Sequence, residues 1–303
     1  MPVTANLHLK NMKLHDIDSI ITSMRVAYVQ TSPTLGTVSA NLDEAWSFIE
    51  KVKEADLVVL PELFHTGYMV RNRDEAKAHA VSRDKSSDPL EMCLDACRTF
   101  GMSIAAGFLE IDDKKTLFNS SWLIDSGGIV SAYRKIHLFY LEVDIFEPGD
   151  DIAPAAEVAS KRTGRVARVG MQICFDWIFP ENWGRLAWGE GGKNGAQIIA
   201  HPANLVIPDL CPLAIRTRAV ENHVFIVTAG RVGVDPGPSG EIIFCGGSRI
   251  VAPDGEVLAA GHDDRPGCDM VEINPEWADD KLITPLNNVL QERFSEQKND
   301  RES

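Results

Sequence analysis

The stretch Gly170-Met-Gln-Ile-Cys174-Phe-Asp-Trp-Ile-Phe-Pro-Glu181 decides how the rest of the chain is read. Residues 165–173 form a run that predicts a strand, and from Pro180 the apolar spacing turns helical, with proline suited to a first helical turn. Cys174 therefore lies where a strand hands over to a helix. A nucleophile at such a turn is held rigidly, with a backbone N–H beside it. A free cysteine alone is more often a small buried hydrophobe, so Cys174 needs partners before it signifies chemistry.

Two further strand ends supply candidates. Leu57-Val-Val-Leu is wholly apolar, as expected of a strand buried on both faces, and it is stopped by Pro61-Glu62. It delivers a carboxylate just past its C-terminal end, the edge where α/β sheets gather ligands. In Tyr133-Arg-Lys-Ile-His-Leu-Phe139, Lys135 closes a strand amid apolar neighbours. A buried lysine must be paired, whereas a snorkelling surface lysine needs no partner. Singly, Glu62 reads as a solvated or capping carboxylate and Lys135 as a surface cation. Together with Cys174 at one sheet edge they make a set for acyl transfer: a thiolate, a proton shuttle, and a cation that lowers the thiol pKa and binds an oxyanion.

Around these points strands and helices alternate. Strands are expected at 24–30, 103–108, 197–200, 224–228 and 271–273, with hairpins at 119–124/128–134 and 248–251/256–260. Helical spacing marks 41–53, 89–99 and 212–222, and the polar tail after Asn288 is expected to be exposed. No Pro/Gly/Ser-rich linker or repeat interrupts the pattern. It predicts one α/β domain over 24–275, with 1–23 as an N-terminal extension and 276–303 as a tail suited to an oligomer interface.

Composition narrows the classes. With 44% hydrophobic residues in 303, the chain can bury a large core and is not globally disordered. Thirty Lys+Arg against 44 Asp+Glu leave a net charge of −14, which argues against tracking nucleic-acid phosphates. No apolar run approaches the roughly 18 residues that span a bilayer. The first 24 residues lack an apolar signal region, so the six scattered cysteines are expected as free thiols and the protein as cytoplasmic. There is no GxSxG, HExxH or phosphate-loop motif. Cys93 and Cys97 read as core residues, and Gly189–195 as a loop entering a strand. Neither a metal nor a cofactor is indicated.

The ordered set Pro-Glu62, Tyr-Arg-Lys135 and Cys174-Phe-Asp-X-X-Phe-Pro-Glu resembles the nitrilase superfamily of carbon–nitrogen hydrolases. Secondary signposts agree from about residue 24 to 273: Phe146-Glu-Pro-Gly-Asp150, His201-Pro-Ala-Asn-Leu205, Arg218-Ala-Val-Glu-Asn222 and Ser248-Arg-Ile-Val-Ala-Pro-Asp-Gly255. The resemblance implies a four-layer α-β-β-α sandwich that pairs into homodimers or larger homo-oligomers. It places the catalytic glutamate on Glu62, the lysine on Lys135, the nucleophile on Cys174 and a second, bracing glutamate on Glu142. Glu147, beside the proline, is then a loop residue. The chemistry implied is attack of Cys174 on a small-molecule amide, an oxyanion met by Lys135 and the Phe175 N–H, loss of ammonia through Glu62, and hydrolysis of the thioester.

Substrate class rests on the residues just after the cysteine. Members acting on nitriles tend to have Trp-Glu there; Phe175-Asp176 favours an amidase or carbamoylase. Members that take a substrate carboxylate often carry an arginine just after the cysteine. Trp177 and Ile178 stand there instead, which points to a neutral or apolar substrate, although Arg185 and Arg216 stay open as cations near the pocket. Trp177, Tyr68 and Asn204 are expected to line it. The competing readings are an N-carbamoyl amidohydrolase, a nitrilase, an acyltransferase passing the thioester to an amine, and an inactive binding scaffold. A papain-like Cys–His pair would need His201 or His223 to reach Cys174 and matches that class in neither spacing nor motif.

Overall fold

Alternation along one strand sets the layering. In β1 (Met24–Gln30), Met24, Val26 and Tyr28 belong to one apolar cluster, while Ala27 and Val29 belong to another, and all five are buried. Successive side chains on a strand point to opposite faces, so β1 lies in a sheet covered on both sides. A computed structural model, describing residues 23–238 and 240–293, shows what covers it.

The strands continue as β2 (Leu57–Val59), β3 (Ser103–Ile111), β4 (Leu117–Asp125), β5 (Gly128–Arg134), β6 (Ala156–Ala159) and β7 (Val166–Met171). They are followed by β8 (Ile198–Pro202), β9 (Phe225–Ala229), β10 (Arg249–Val251), β11 (Val257–Ala260) and β12 (Gly267–Ile273). One six-stranded sheet has the order β12-β1-β2-β3-β4-β5 and the other β11-β10-β9-β8-β7-β6. Each has a parallel centre, β1-β2-β3 and β7-β8-β9, flanked by antiparallel strands.

Helices α1 (Val38–Ile49) and α2 (Asp88–Phe100) cover the outer face of the first sheet, packing Leu42, Ala45, Ile49, Leu90, Cys93 and Cys97 against Val29, Val58 and Ile104. Helices α3 (Pro180–Trp188) and α4 (Leu210–Asn222) pack Trp183, Leu186, Ile215 and Ala219 into the cluster that also holds the inward residues of both sheets. The result is the four-layer α-β-β-α sandwich. Cys93 and Cys97 are core residues, and all six cysteines are free.

One expectation needs correction. The tail is not wholly exposed after Asn288: Val289–Arg293 is a short helix whose Leu290 is buried. Arg293 bonds Asn222 Oδ1 at 2.7 Å and the Glu221 carbonyl at 2.9 Å, and Lys281 Nζ donates to the terminal carbonyls of Asn222 and His223, so the end of α4 anchors this segment. Residues 189–195, expected as a loop entering a strand, form a small paired turn, Gly189–Glu190 with Lys193–Asn194, just ahead of β8. An unforeseen hairpin, Val232–Gly237 with Gly240–Cys245, stands outside both sheets; Gly233, Asp235, Pro236 and Gly237 break its sequence alternation. The extension at 1–22 and the end of the tail at 294–303 lie outside the described residues. Among the described residues no helix is long and apolar enough to cross a membrane.

Candidate active site

Glu62 stands three residues beyond β2 and is fully buried. Its backbone crosses so close to β3 that a Cβ on Gly107 would lie 2.4 Å from Glu62 Cα and 2.8 Å from Leu63 N. Glycine is needed there for the approach of two backbones. Lys135 follows directly on β5; its N–H donates to Asn119 O and its carbonyl accepts from Gly149 N, both at 2.8 Å. Its side chain is also fully buried.

The structure brings these two together with Glu142. Lys135 Nζ lies 2.7 Å from Glu62 Oε1 and 2.8 Å from Glu142 Oε1. Asn119 Nδ2 bridges the same two oxygens, donating at 2.7 Å to Glu62 and 3.3 Å to Glu142. Tyr68 Oη donates to Glu142 Oε1 at 2.6 Å, and the Phe139 N–H donates to Glu142 Oε2 at 2.9 Å. Glu142 is thus held at both oxygens. Glu62 Oε2 has no hydrogen-bond partner among the described residues.

Burial pushes Glu62 up to about 7; Lys135 pulls it down, and the neighbouring Glu142 carboxylate adds to the rise. For Lys135, burial acts to discharge the ammonium, but Glu142 and Glu62 outweigh it and hold the pKa above that of an ordinary lysine. The ammonium has three donor hydrogens. Two meet the carboxylates, which leaves one for another acceptor.

Cys174 opens the 3-10 turn Cys174–Ile178, just after β7, with φ at +40°. A non-glycine residue held there stores strain, of order 1–3 kcal/mol, and its surroundings fix it. Asp176 Oδ2 accepts from Ile173 N at 2.9 Å and Tyr133 Oη at 2.8 Å, while its Oδ1 faces His137 Nδ1 at 2.7 Å. His201 Nε2 lies 2.9 Å from the Cys174 carbonyl. The thiol donates to Asn204 O at 3.7 Å, and Asn204 Nδ2 donates to the Glu62 carbonyl at 2.9 Å, so one asparagine links the two strand ends.

Lys135 acts on the thiol pKa in the expected direction but does not set it. Burial raises it well above the ordinary cysteine value, Glu62 and Glu142 raise it further, and Lys135 opposes them without prevailing. The lysine's charge is already shared by two carboxylates. The resting thiol keeps its proton and needs a base.

Cys174 opens on a cleft of about 290 Å³, counting the part open to solvent. Phe175, Trp177 and Asn204 line it, joined by Phe139, Val206 and Ile207, and no charged side chain is among the lining residues. Phe139 and Phe175 set their ring centroids 5.0 Å apart. Tyr68, expected in this lining, is not part of it; its hydroxyl is committed to Glu142. Arg185 pairs with Asp151 and Arg216 with the Gly255 carbonyl, so neither lines the cleft. Glu147 is a half-exposed loop residue whose carboxylate lies 3.8 Å from Arg73.

His201 meets the backbone of Cys174 rather than its thiol, and burial lowers its pKa to about 4. His223 caps α4 beside Trp277. Asn119 and Phe139 are site residues that the sequence alone does not single out. The available signals are an asparagine inside an otherwise buried strand and an aromatic four residues after the lysine.

Residues 25–280 match the carbon–nitrogen hydrolase family. The chain is 38% identical over 275 residues to a nitrilase of Pyrococcus abyssi, covering 90% of this chain and 98% of that one. It is 31% identical over 245 residues to an (R)-stereoselective amidase of a Pseudomonas species, covering 80% and 82%. Among solved structures it is similar to a branch 10 member of the nitrilase superfamily from Saccharomyces cerevisiae. That likeness has a TM-score of 0.73 at 25% identity, with 90% of this chain and 97% of the other covered.

Proposed function

From the premise that this chain belongs to the carbon–nitrogen hydrolase family and is a carbon–nitrogen hydrolase, we propose that it converts a small neutral amide into a carboxylic acid and ammonia through a thioester on Cys174. The observation that carries this reading is the buried Glu62–Lys135–Glu142 cluster together with Cys174, whose side chain lines a small cleft without charged lining.

Glu62 Oε2 takes the thiol proton as sulfur attacks the carbonyl carbon. The third hydrogen of Lys135 and the N–H of Phe175 meet the oxyanion; an N–H in the first turn of a helix lacks an intrahelical acceptor. Losing one such donor costs about 3–4 kcal/mol of barrier. Collapse of the tetrahedral adduct breaks the C–N bond, Glu62 returns its proton to nitrogen, and ammonia departs. Glu62 then takes a proton from water as its oxygen attacks the thioester carbonyl, and collapse of that adduct breaks the C–S bond, releasing the acid while Glu62 returns the proton to the Cys174 sulfur. A carboxyl group near pKa 7 suits both directions of transfer at neutral pH.

The apolar lining favours an uncharged acyl group, because a substrate carboxylate would be desolvated there without a cation to receive it. A nitrile substrate is the second reading, favoured by the nitrilase name of the Pyrococcus relative. Ammonia release from aliphatic amides, N-carbamoyl compounds and nitriles, by the wild type and Cys174→Ala, tests the choice. Release mainly from amides, lost in the variant, supports the proposal. Turnover mainly of nitriles selects the second reading, and N-carbamoyl turnover overturns the neutral-amide assignment.

A further inference from the structure

Glu142 Oε1 is the most heavily used acceptor of the cluster, receiving Tyr68 Oη at 2.6 Å, Lys135 Nζ at 2.8 Å and Asn119 Nδ2 at 3.3 Å. Tyr68 is the nearest of the three and does not line the cleft. Its ring is buried edge-on against Phe244, with centroids 5.8 Å apart. The Arg231 guanidinium lies 4.0 Å from the Phe244 ring centroid and is itself held by Asp235 at 2.7 and 3.1 Å. Asp235, Phe244 and Arg231 are buried. Phe244 and Asp235 belong to the hairpin that stands outside both sheets.

We infer that Tyr68 is a positioning residue for the hydrolysis proposed above, with the Val232–Cys245 hairpin as its support: it holds Glu142 so that Lys135 stays between the two carboxylates. This rests on the proposed amide chemistry for its kinetic part only.

The effect is electrostatic. A phenol satisfies Glu142 Oε1 without neutralising it, because the donor is uncharged. The titratable and charged groups facing Glu142 are Lys135, Glu62, Cys174 and Tyr68. Without the hydroxyl, Oε1 is left to Lys135 and Asn119, and the ammonium is drawn toward Glu142. It then moves away from Glu62 and from the thiol it opposes in pKa. The thiolate becomes harder to form, while the cleft that receives substrate is unchanged.

The test uses full-length wild type, Tyr68→Phe and Phe244→Leu. Alkylation of Cys174 by iodoacetamide is followed across pH by mass of the Cys174 peptide, since the thiolate is the species that reacts. Where an amide is turned over, kcat and KM are measured on it. Tyr68→Phe is expected to move the alkylation profile up by about half a pH unit or more and to lower kcat about tenfold with KM unchanged. Phe244→Leu is expected to act in the same direction, more weakly. An alkylation profile coincident with wild type overturns the inference, as does a raised KM at unchanged kcat. If no amide is turned over by wild type, the amide reading fails while the alkylation profile still decides the role of Tyr68.

Discussion

Glu62 and Glu142 share Lys135 through one oxygen each but differ at the other. Glu142 Oε2 accepts the Phe139 N–H at 2.9 Å, whereas Glu62 Oε2, on a fully buried residue, has no hydrogen-bond partner among the described residues. In the proposed mechanism the pinned carboxylate is the brace, and the other keeps an oxygen with which to exchange a proton.

That difference predicts unequal variants. Glu62→Gln preserves the shape and an acceptor for Lys135 and Asn119 but cannot carry a proton. Its kcat/KM is expected to fall by about 10²–10⁴, the usual contribution of general acid–base catalysis. Steady-state ammonia release measures it, and thermal unfolding should show no loss of fold.

The proposed mechanism places the acid limb of activity on the same group. With its pKa pushed up to about 7, Glu62 is mostly protonated below that pH and cannot accept the thiol proton. The value of kcat/KM should therefore fall about tenfold per pH unit below an apparent pKa near 7, one belonging to the coupled cluster rather than to a single residue. A profile that stays flat down to pH 5 contradicts Glu62 as the base.

Lys135→Ala leaves two carboxylates buried without their cation. Breaking a buried pair in this way costs about 3–5 kcal/mol of stability, and loss of an oxyanion donor adds about 3–4 kcal/mol to the barrier. Urea unfolding should record the first effect. Single-turnover kinetics, at a temperature where the variant remains folded, should record the second.

Gly107→Ala tests the backbone crossing. The added Cβ would press on Glu62 Cα and Leu63 N, which are main-chain atoms with no rotamer to change. The expected result is a lower unfolding midpoint together with lower kcat, although residue 107 makes no side-chain contact with the cleft. Unchanged activity would mean that Glu62 tolerates displacement.

Much of the fold and site is legible along the chain because single strands carry their own signals. The all-apolar Leu57–Val59 strand leads to Glu62, and Lys135 and Cys174 each come after a strand, so their convergence is expected from α/β topology. What lies hidden depends on contacts between distant elements. Tyr68 reaches Glu142 across 74 positions and Asn119 reaches Glu62 across 57. The net Cys174 shift is upward because burial of the thiol and the charges of Glu62 and Glu142 outweigh the lowering by Lys135. Local periodicity says nothing about such balances. The Val232–Cys245 hairpin escapes a sequence reading because glycine, proline and aspartate disguise its alternation.

Covalent chemistry at Cys174 is the centre of the proposed mechanism. Its most direct test is an acid quench of the wild type during turnover of its best amide, with mass measurement of the Cys174 peptide. A thioester mechanism predicts that this peptide gains the mass of the acyl group and that Cys174→Ala neither gains it nor releases ammonia. Turnover that persists in Cys174→Ala, or an acyl group found on another residue, would contradict it.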